Sequence, residues 1–266
     1  MDGLLLMRPL SELAPAGIRG LFFDIDDTLT TEGRLTSAAY AALERWKAAG
    51  KIAVPITGRP AGWCDHIARM WPVDAVVGEN GAFYFRYDQN QRKLEKHFLL
   101  DEATRVANRA RMVAVRDRIL AQVPGSALAS DQLYREADLA IDFCEDVPAL
   151  GLPAAKRIAE LMRAAGMTAK ISSIHVNGWF GDYDKLGMTR TLSREKLGID
   201  LDQSSDTFAF VGDSPNDAPM FAYFKNSVGV ANVRRYEGVL TARPAFVTRA
   251  EAGTGFTELV IHLLGS

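Results

Sequence analysis

The sequence predicts an α/β protein with a Rossmann-like core, a doubly wound parallel sheet, interrupted by an inserted α+β domain. Strand and helix patterns alternate over residues 20–78 and again from Lys185 onwards, as in parallel sheets covered by helices. Between these stretches, from Tyr84 to Phe180, aromatic residues and paired strands replace the alternation. We therefore predict a core formed by residues 1–83 and 181–266, and an inserted domain formed by residues 84–180.

The first predicted strand of the core ends in a cluster of acidic residues. Residues 21–23 are apolar on both faces, as a strand buried between two helical layers requires, and Asp24, Asp26 and Asp27 follow. Carboxylates this close repel each other, so folding alone gives no reason to place them there. One interpretation is an acidic turn that caps a helix. The other is a ligand site at the carboxyl end of the strand, with oxygen donors that suit Mg²⁺.

The rest of the first half of the core contains a proline in an unfavourable place. Helices are predicted at residues 36–49 and 60–70, and strands at residues 51–56 and 74–78. Pro55 lacks an amide donor, so we expect the pairing of its strand to stop, or to bulge, just before it.

The inserted domain and the second half of the core follow from the same patterns. The insertion is predicted to contain a hairpin at 83–91, helices at 101–122 and 153–165, and strands at 139–143, 168–172 and 174–180. The core then resumes with a helix at 185–197 and strands at 207–211, 227–230 and 245–247.

Composition limits the classes of partner. A net charge of −2 gives no electrostatic basis for binding nucleic acid or an anionic membrane. Cys64 and Cys144 are isolated and form no zinc or redox motif, so reduced thiols in a cytoplasmic protein are expected. The apolar run at residues 4–7 is too short for a signal peptide, and no stretch reaches transmembrane length. No feature predicts an oligomeric state.

Four groups of polar residues stand at the ends of predicted core elements. They are D-x-D-x-T at Asp24–Thr28, Thr57 after the second strand, Lys185 at a helix start, and G-D-x-x-x-D at Gly212–Asp217. Together they resemble the four motifs of the haloacid dehalogenase (HAD) superfamily of phosphohydrolases. The place and size of the insertion, and Glu79-Asn80-Gly81-Ala82 before it, resemble subfamily IIB, the Cof-type and sucrose-phosphatase-like sugar phosphatases.

The resemblance implies a phosphoric monoester hydrolase acting on a small phosphorylated metabolite, with a sugar phosphate as the expected class. It makes Asp24 the nucleophile, which forms an aspartyl-phosphate. Asp26 would protonate the leaving oxygen and then deprotonate the attacking water. Thr57 and Lys185 would hold the transferring oxygens.

The resemblance also implies a bound Mg²⁺ ion. Its ligands would be Asp24, the backbone carbonyl of Asp26 and Asp213, with Asp217 as a further ligand or as the partner of one. Asp27 stands where glycine is common in the family, which removes no functional group but bears on the shape of the loop.

Five further residues are expected near the substrate. Gly58 and Asn216 belong to the motif loops and are expected at the phosphate. Arg59 would either contact the substrate or pair with a core carboxylate. His175 and Asn177 share one face of the last predicted strand of the insertion, where they would contact a sugar or form an ordinary sheet surface.

Two sets of alternatives remain open at the level of sequence. Arg105, Arg109 and Arg116 recur at helical spacing, which indicates a solvated helix face or a site for a second anionic group. The function could also be that of a phosphomutase of the same fold, or of a non-catalytic binding protein built on a phosphatase scaffold.

Overall fold

The structure, a computed structural model, describes residues 7–265; the apolar residues 4–6 of the sequence lie outside this range. The strands are β1 (Arg8–Pro9), β2 (Gly20–Phe23), β3 (Ile52–Pro55), β4 (Val76–Gly78), β5 (Phe83–Asp88), β6 (Lys93–Phe98), β7 (Ala127–Leu128), β8 (Leu139–Asp142), β9 (Thr168–Ile171), β10 (His175–Trp179), β11 (Phe208–Gly212), β12 (Asn226–Gly229) and β13 (Phe246–Val247). The α-helices are α1 (Ser37–Ala48), α2 (Ala61–Met70), α3 (Glu102–Gln122), α4 (Gly151–Ala164), α5 (Lys185–Leu192), α6 (Leu201–Ser204), α7 (Ala218–Tyr223) and α8 (Ala252–Leu264).

The core is a parallel sheet of six strands in the order β1-β13-β12-β11-β2-β3. β2 lies between β11 and β3, and this central place explains why its residues are apolar on both faces. Phe22 packs against Phe224 beside α7 on one side of the sheet, and Phe23 packs against Phe256 of α8 on the other. The predicted fold class, a Rossmann-like α/β core, is confirmed.

Helix ends in the core follow their sequence signals. The Thr36 hydroxyl caps α1 by accepting a hydrogen bond from the amide of Ala39, and Gly50 follows the helix in the left-handed conformation with φ 74°. The helix that begins at Lys185 continues past α5 as a π-helical turn, Ser193–Leu197, and ends at the left-handed Gly198.

The expectation for Pro55 was wrong. β3 runs through Pro55, which stands opposite Phe23 in the parallel register, and the next amide, of Ile56, donates to the carbonyl of Phe23. The backbone nitrogens of the residues before and after Ile56 face away from β2, because successive peptide groups of a strand alternate in direction. The missing donor of Pro55 therefore faces the outer edge of the sheet, where it interrupts no pairing with β2.

The strand after α2 also differs from its prediction as a core strand. β4 belongs to a three-stranded antiparallel sheet with β5 and β6, and one parallel bridge, between Ile56 and Val77, joins it to the core sheet. Glu79 and Asn80 have φ of 43° and 55°, and this turn reverses the chain immediately after β4. The predicted hairpin is therefore present as β5 and β6, but its first strand pairs with β4, so that the three strands form one sheet.

The segment that follows the hairpin forms a four-stranded antiparallel sheet in the order β7-β8-β10-β9. Helices α3 and α4 pack on one face, where Ile119 and Met162 join Val176 in a buried cluster. Because side chains alternate along β10, His175 and Asn177 point to the opposite face, towards the core. None of the helices within residues 7–265 is both long and apolar enough to cross a bilayer.

Candidate active site

The candidate site lies at the carboxyl edge of the parallel sheet. Phe23 of β2 stands level with Val211 of β11 and with Pro55 of β3, so the residues that follow these three strands meet at one edge. The amide of Asp24 donates to the carbonyl of Val211, which fixes the start of the loop after β2 to the neighbouring strand.

The loop after β2 is folded tightly around one carbonyl group. The carbonyl of Ile25 accepts hydrogen bonds from the amides of Thr28, Leu29 and Thr30. Asp27 has a left-handed φ of 53°, a conformation that aspartate tolerates better than most residues. This explains how an aspartate serves at a position where the family that the sequence resembles commonly has glycine.

One ammonium group joins two carboxylates at the centre of the site. Lys185 Nζ donates to Asp24 Oδ1 at 2.6 Å and to Asp217 Oδ1 at 2.7 Å, and all three side chains are buried. Burial, together with the negative charges of Asp217 and Asp26, raises the pKa of Asp24 to about 8 despite the ammonium. Burial lowers the pKa of Lys185, but the two carboxylates outweigh burial and raise it above its usual value.

Asp213 completes the acidic cluster and is held on both oxygens. Its Oδ1 accepts a hydrogen bond from the Thr28 hydroxyl at 3.4 Å, and its Oδ2 accepts one from Asn232 Nδ2 at 3.1 Å. Burial and the charges of Asp24 and Asp217 raise the pKa of Asp213 well above its usual range. Three carboxylates, those of Asp24, Asp213 and Asp217, thus cluster around the one ammonium group of Lys185, and their mutual repulsion when ionised favours a bound cation or proton.

The cluster fits a hard divalent cation. Asp24, Asp213 and Asp217 each offer a carboxylate oxygen, and these oxygens lie within 4.8 Å of one another. Within residues 7–265, Asp24 Oδ2 and the backbone carbonyl of Asp26 accept no hydrogen bond, which leaves both available to a ligand. A set of carboxylate and carbonyl oxygens suits Mg²⁺ or Ca²⁺ better than a softer metal, and a cation would offset the repulsion among the carboxylates.

The loop after β3 brings three of the predicted phosphate contacts together. Thr57 is completely buried, and its hydroxyl accepts a hydrogen bond from the amide of Arg59. A Cβ on Gly58 would lie 3.2 Å from Asn80 Nδ2, so the backbone here passes close to Asn80. Asn216 donates to Asn80 Oδ1 at 3.4 Å, which places it beside the same loop.

Arg59 pairs with carboxylates from both parts of the chain. Its Nε lies 3.0 Å from both oxygens of Asp26, and its Nη2 lies 2.8 Å from Asp26 Oδ1. From the inserted segment, Glu145 accepts from Nη2 at 2.6 Å and Asp131 lies 3.5 Å from Nη1. Of the two alternatives for Arg59, pairing with carboxylates is the one present in this conformation.

His175 and Asn177 are buried and face the core site. His175 Nε2 lies 2.9 Å from Glu145 Oε2, and Asn177 donates to Asp138 Oδ2 at 2.9 Å. Both line a cavity of about 10 Å³ whose other lining residues include Asp24 and Arg59. This volume holds about one water molecule, so β10 and the turn before it cover the acidic cluster closely.

Several residues of this site escaped the sequence analysis. Glu79 is completely buried, and its carboxylate accepts hydrogen bonds from four backbone amides, those of Ala61, Glu136, Ala137 and Asp138. Burial and the neighbouring Asp138 raise its pKa to about 8. The sequence signals were the place of Glu79 in the Glu79-Asn80-Gly81-Ala82 stretch and its position next to a predicted strand, and neither indicated a buried carboxylate that accepts from four amides.

Arg135 and Asn80 were also missed as contacts of this site. Arg135 donates to the carbonyl of Gly58 at 2.8 Å and pairs with Asp131 and Asp138. Asn80 Nδ2 is buried and has no hydrogen-bond partner within residues 7–265, so it is a free donor beside the Gly58 loop. In the sequence, the feature that could have indicated a polar site next to β8 was the presence of a charged residue at each end of this strand.

Comparisons with known proteins support this description. The sequence model of the haloacid dehalogenase-like hydrolases matches residues 21–109, the part that contains the loops after β2 and β3. No curated protein matches the chain in sequence.

Solved structures with the same fold are found at low sequence identity. A Thermoplasma acidophilum protein has a TM-score of 0.67 at 18% identity, covering 93% of this chain and 98% of that one. Sucrose-phosphatase from Synechocystis, in complex with sucrose and phosphate, has a TM-score of 0.61 at 15% identity (92% and 97% covered). A HAD subclass IIB sugar phosphatase has a TM-score of 0.59 at 16% identity (93% and 99% covered). These structures share the fold that the resemblance to subfamily IIB of the HAD superfamily implies.

Proposed function

We propose that this protein is a Mg²⁺-dependent phosphatase that hydrolyses a small phosphorylated metabolite of the sugar phosphate class through an aspartyl-phosphate. The observation that carries this proposal is the position of Asp24. Its carboxylate stands at the carboxyl edge of the sheet, held by Lys185 and beside Asp213, with Asp26 lining the same cavity. Its Oδ2 is the oxygen free to act as nucleophile.

Two carboxylates divide the reaction between them. Asp24 attacks the phosphorus, and the bond to the leaving oxygen breaks as Asp26 transfers a proton to that oxygen. Water then attacks the aspartyl-phosphate while Asp26 takes its proton, which releases inorganic phosphate and restores Asp24. Lys185 and Thr57 hold the oxygens of the phosphoryl group during both steps.

The acidic cluster is the proposed magnesium site. Asp24, Asp213 and the carbonyl of Asp26 would hold the ion, and Asp217 would either join them or keep Lys185 in place beside them. When bound, Mg²⁺ supplies a Lewis acid and a positive charge that lets one anion approach another.

The inserted segment has to move during turnover. A cavity of about 10 Å³ is too small for a phosphoryl group, so His175 and its neighbours must withdraw before a substrate enters. Closure then excludes bulk water from the aspartyl-phosphate and brings His175 and Asn177 against the leaving group.

The test is phosphate release from p-nitrophenyl phosphate and glucose 6-phosphate, with Mg²⁺ and with chelator. We expect turnover that requires Mg²⁺ and falls to background in Asp24→Asn, while the exposed Asp117→Asn retains wild-type activity. Activity that persists in Asp24→Asn would refute the assignment of the nucleophile. Isomerisation of a sugar phosphate without phosphate release would instead identify a mutase.

A further inference from the structure

Glu145 is aimed at the site by the turn that follows β8. Asp142 Oδ1 accepts hydrogen bonds from the amides of Cys144 and Glu145, at 2.9 and 2.8 Å, and its Oδ2 accepts one from the amide of Asp146. This turn directs the Glu145 carboxylate to Arg59 and His175, on the side of the cavity that the inserted segment forms.

The Glu145 carboxylate carries its charge at neutral pH. Burial tends to raise its pKa, but the close contact with His175 and the hydrogen bonds and charge of Arg59 lower it to about 2. Its side chain is 25% exposed, so it is not sealed beneath other groups.

The positive charges on this side of the site are already matched by carboxylates. Arg59 contacts Asp26, Glu145 and Asp131. Arg135 contacts Asp131 and Asp138, and its Nη1 also donates to the carbonyl of Gly58. Four carboxylates therefore face two guanidinium groups, so that among residues 7–265 no unpaired guanidinium on this side of the site is left for a second anionic group of a substrate.

The arginines of α3 do not supply a second anion site either. Arg109 pairs with Glu136, Arg116 pairs with Asp117, and Arg105 donates to the carbonyl of Leu100. None of the three lines the cavity at Asp24. The interpretation of these residues as a paired, partly solvated helix face therefore agrees with the structure better than a binding site for a second anion.

We propose that Glu145 determines specificity, so that the site selects neutral, hydroxyl-bearing leaving groups and rejects those with a second negative charge. The inference rests on the proposed phosphatase function and adds the class of leaving group. A hydroxyl can donate to the Glu145 carboxylate, and Asn177 and Ser173 offer further polar atoms around the same cavity. A carboxylate on the leaving group would instead meet Glu145 as a like charge in a partly desolvated site.

The experiment compares two esters with the same carbon chain, glucose 6-phosphate and 6-phosphogluconate, which carries an additional carboxylate. In the wild-type protein with Mg²⁺ we expect kcat/KM to be at least about tenfold higher for glucose 6-phosphate. In Glu145→Gln we expect the ratio to approach one, because Arg59 is then less fully neutralised and can accept the carboxylate. The activity on p-nitrophenyl phosphate shows that each variant is folded and competent.

Two controls separate charge from structure. Glu145→Asp keeps the negative charge and should keep the discrimination. Asp146→Asn removes a charge from the adjacent residue, which bonds Ser130 at the surface, and should leave the ratio unchanged.

The outcomes are distinguishable. Phosphate release with a wild-type ratio near or below one, or a ratio that Glu145→Gln does not change, would overturn the role of Glu145 alone. A wild-type protein that releases phosphate from none of these esters, p-nitrophenyl phosphate included, would overturn the proposed function and this inference with it.

Discussion

Lys185 Nζ lies 2.6 Å from Asp24 Oδ1, although 161 residues separate the two along the chain. The same ammonium bonds Asp217, so one cation holds the ends of β2 and β11 and the start of α5 together. Because all three groups are buried, their mutual neutralisation matters for folding as well as for chemistry.

Replacing Lys185 by methionine should destabilise the metal-free protein. Two buried carboxylates would lose the one ammonium group that contacts them within the described part of the chain, which costs about 3–5 kcal/mol in comparable buried pairs. Unfolding in urea, in the presence of chelator, measures this loss. The exposed Lys225→Met serves as the control and should change the free energy of unfolding by less than about 0.5 kcal/mol. Equal stability of Lys185→Met and wild type would contradict the buried ion pair.

Magnesium should stabilise the folded protein through the acidic cluster. At about 100 times the dissociation constant, a ligand specific for the native state adds about 2.7 kcal/mol, which corresponds to an increase in Tm of roughly 5–10 °C for a chain of this size. Thermal melts with Mg²⁺ and with chelator measure the shift. We expect Asp213→Asn to lose most of it and Asp117→Asn to retain it. An unchanged shift in Asp213→Asn would place the ion elsewhere.

Glu79→Ala should loosen the attachment of the inserted segment. The change leaves four backbone amides without their acceptor, three of them buried, and each unsatisfied buried group costs about 1–3 kcal/mol. We expect a loss of more than about 3 kcal/mol and faster hydrogen exchange at the amides of residues 136–138. The exposed Glu160→Ala is the control. If exchange at residues 136–138 is as slow as in wild type, these amides do not depend on Glu79.

The stabilising effect of Glu145 should disappear in acid. Its pKa is lowered from 4.5 to about 2 in the folded protein, so its contribution is complete above pH 4.5 and is lost as the pH falls towards 2. Glu145→Gln should therefore be less stable than wild type at pH 7, and the difference should shrink between pH 4.5 and pH 3. Urea midpoints across this range provide the measurement, with Glu160→Gln as the control. A difference that stays constant with pH would argue against the ion pairs of Glu145.

The sequence was most informative where a local pattern determines local structure. The apolar residues of β2, the cap at Thr36 and the glycine at 198 each predict an element or its end from a few neighbouring residues. The rule that ligand sites lie at the carboxyl ends of parallel strands then placed Asp24 and Asp213 at one edge. No single motif was sufficient for this, because the prediction depended on their common context.

The features that could not be predicted from the sequence depend on how segments distant in the chain pack together. Two left-handed residues, Glu79 and Asn80, turn β4 into a hairpin partner, and neither residue type demands that conformation. Glu145 and Arg59 meet only because the inserted sheet covers the core, and their separation of 86 residues contains no local pattern. The effect of Pro55 on strand pairing was predicted wrongly, because a strand accepts a proline only where the proline nitrogen faces away from the neighbouring strand, and the sequence does not show which way it faces.

The central place of β2 has a consequence for synthesis on the ribosome. β2 pairs with β11 on one side, and its Phe22 packs against Phe208 and Phe224. All of these partners follow late in the chain, so the nascent chain contains β2 and β3 long before β11 is made. The strands and helices of residues 102–179, in contrast, contact one another and are complete before β11 is made. About 185 residues separate the end of β2 from the start of β11, so at roughly 5–20 residues per second β2 carries an unpaired apolar edge for roughly 9–37 s. An unpaired apolar strand edge is a template for pairing with other chains, so we expect the nascent protein to be most prone to aggregation during that interval.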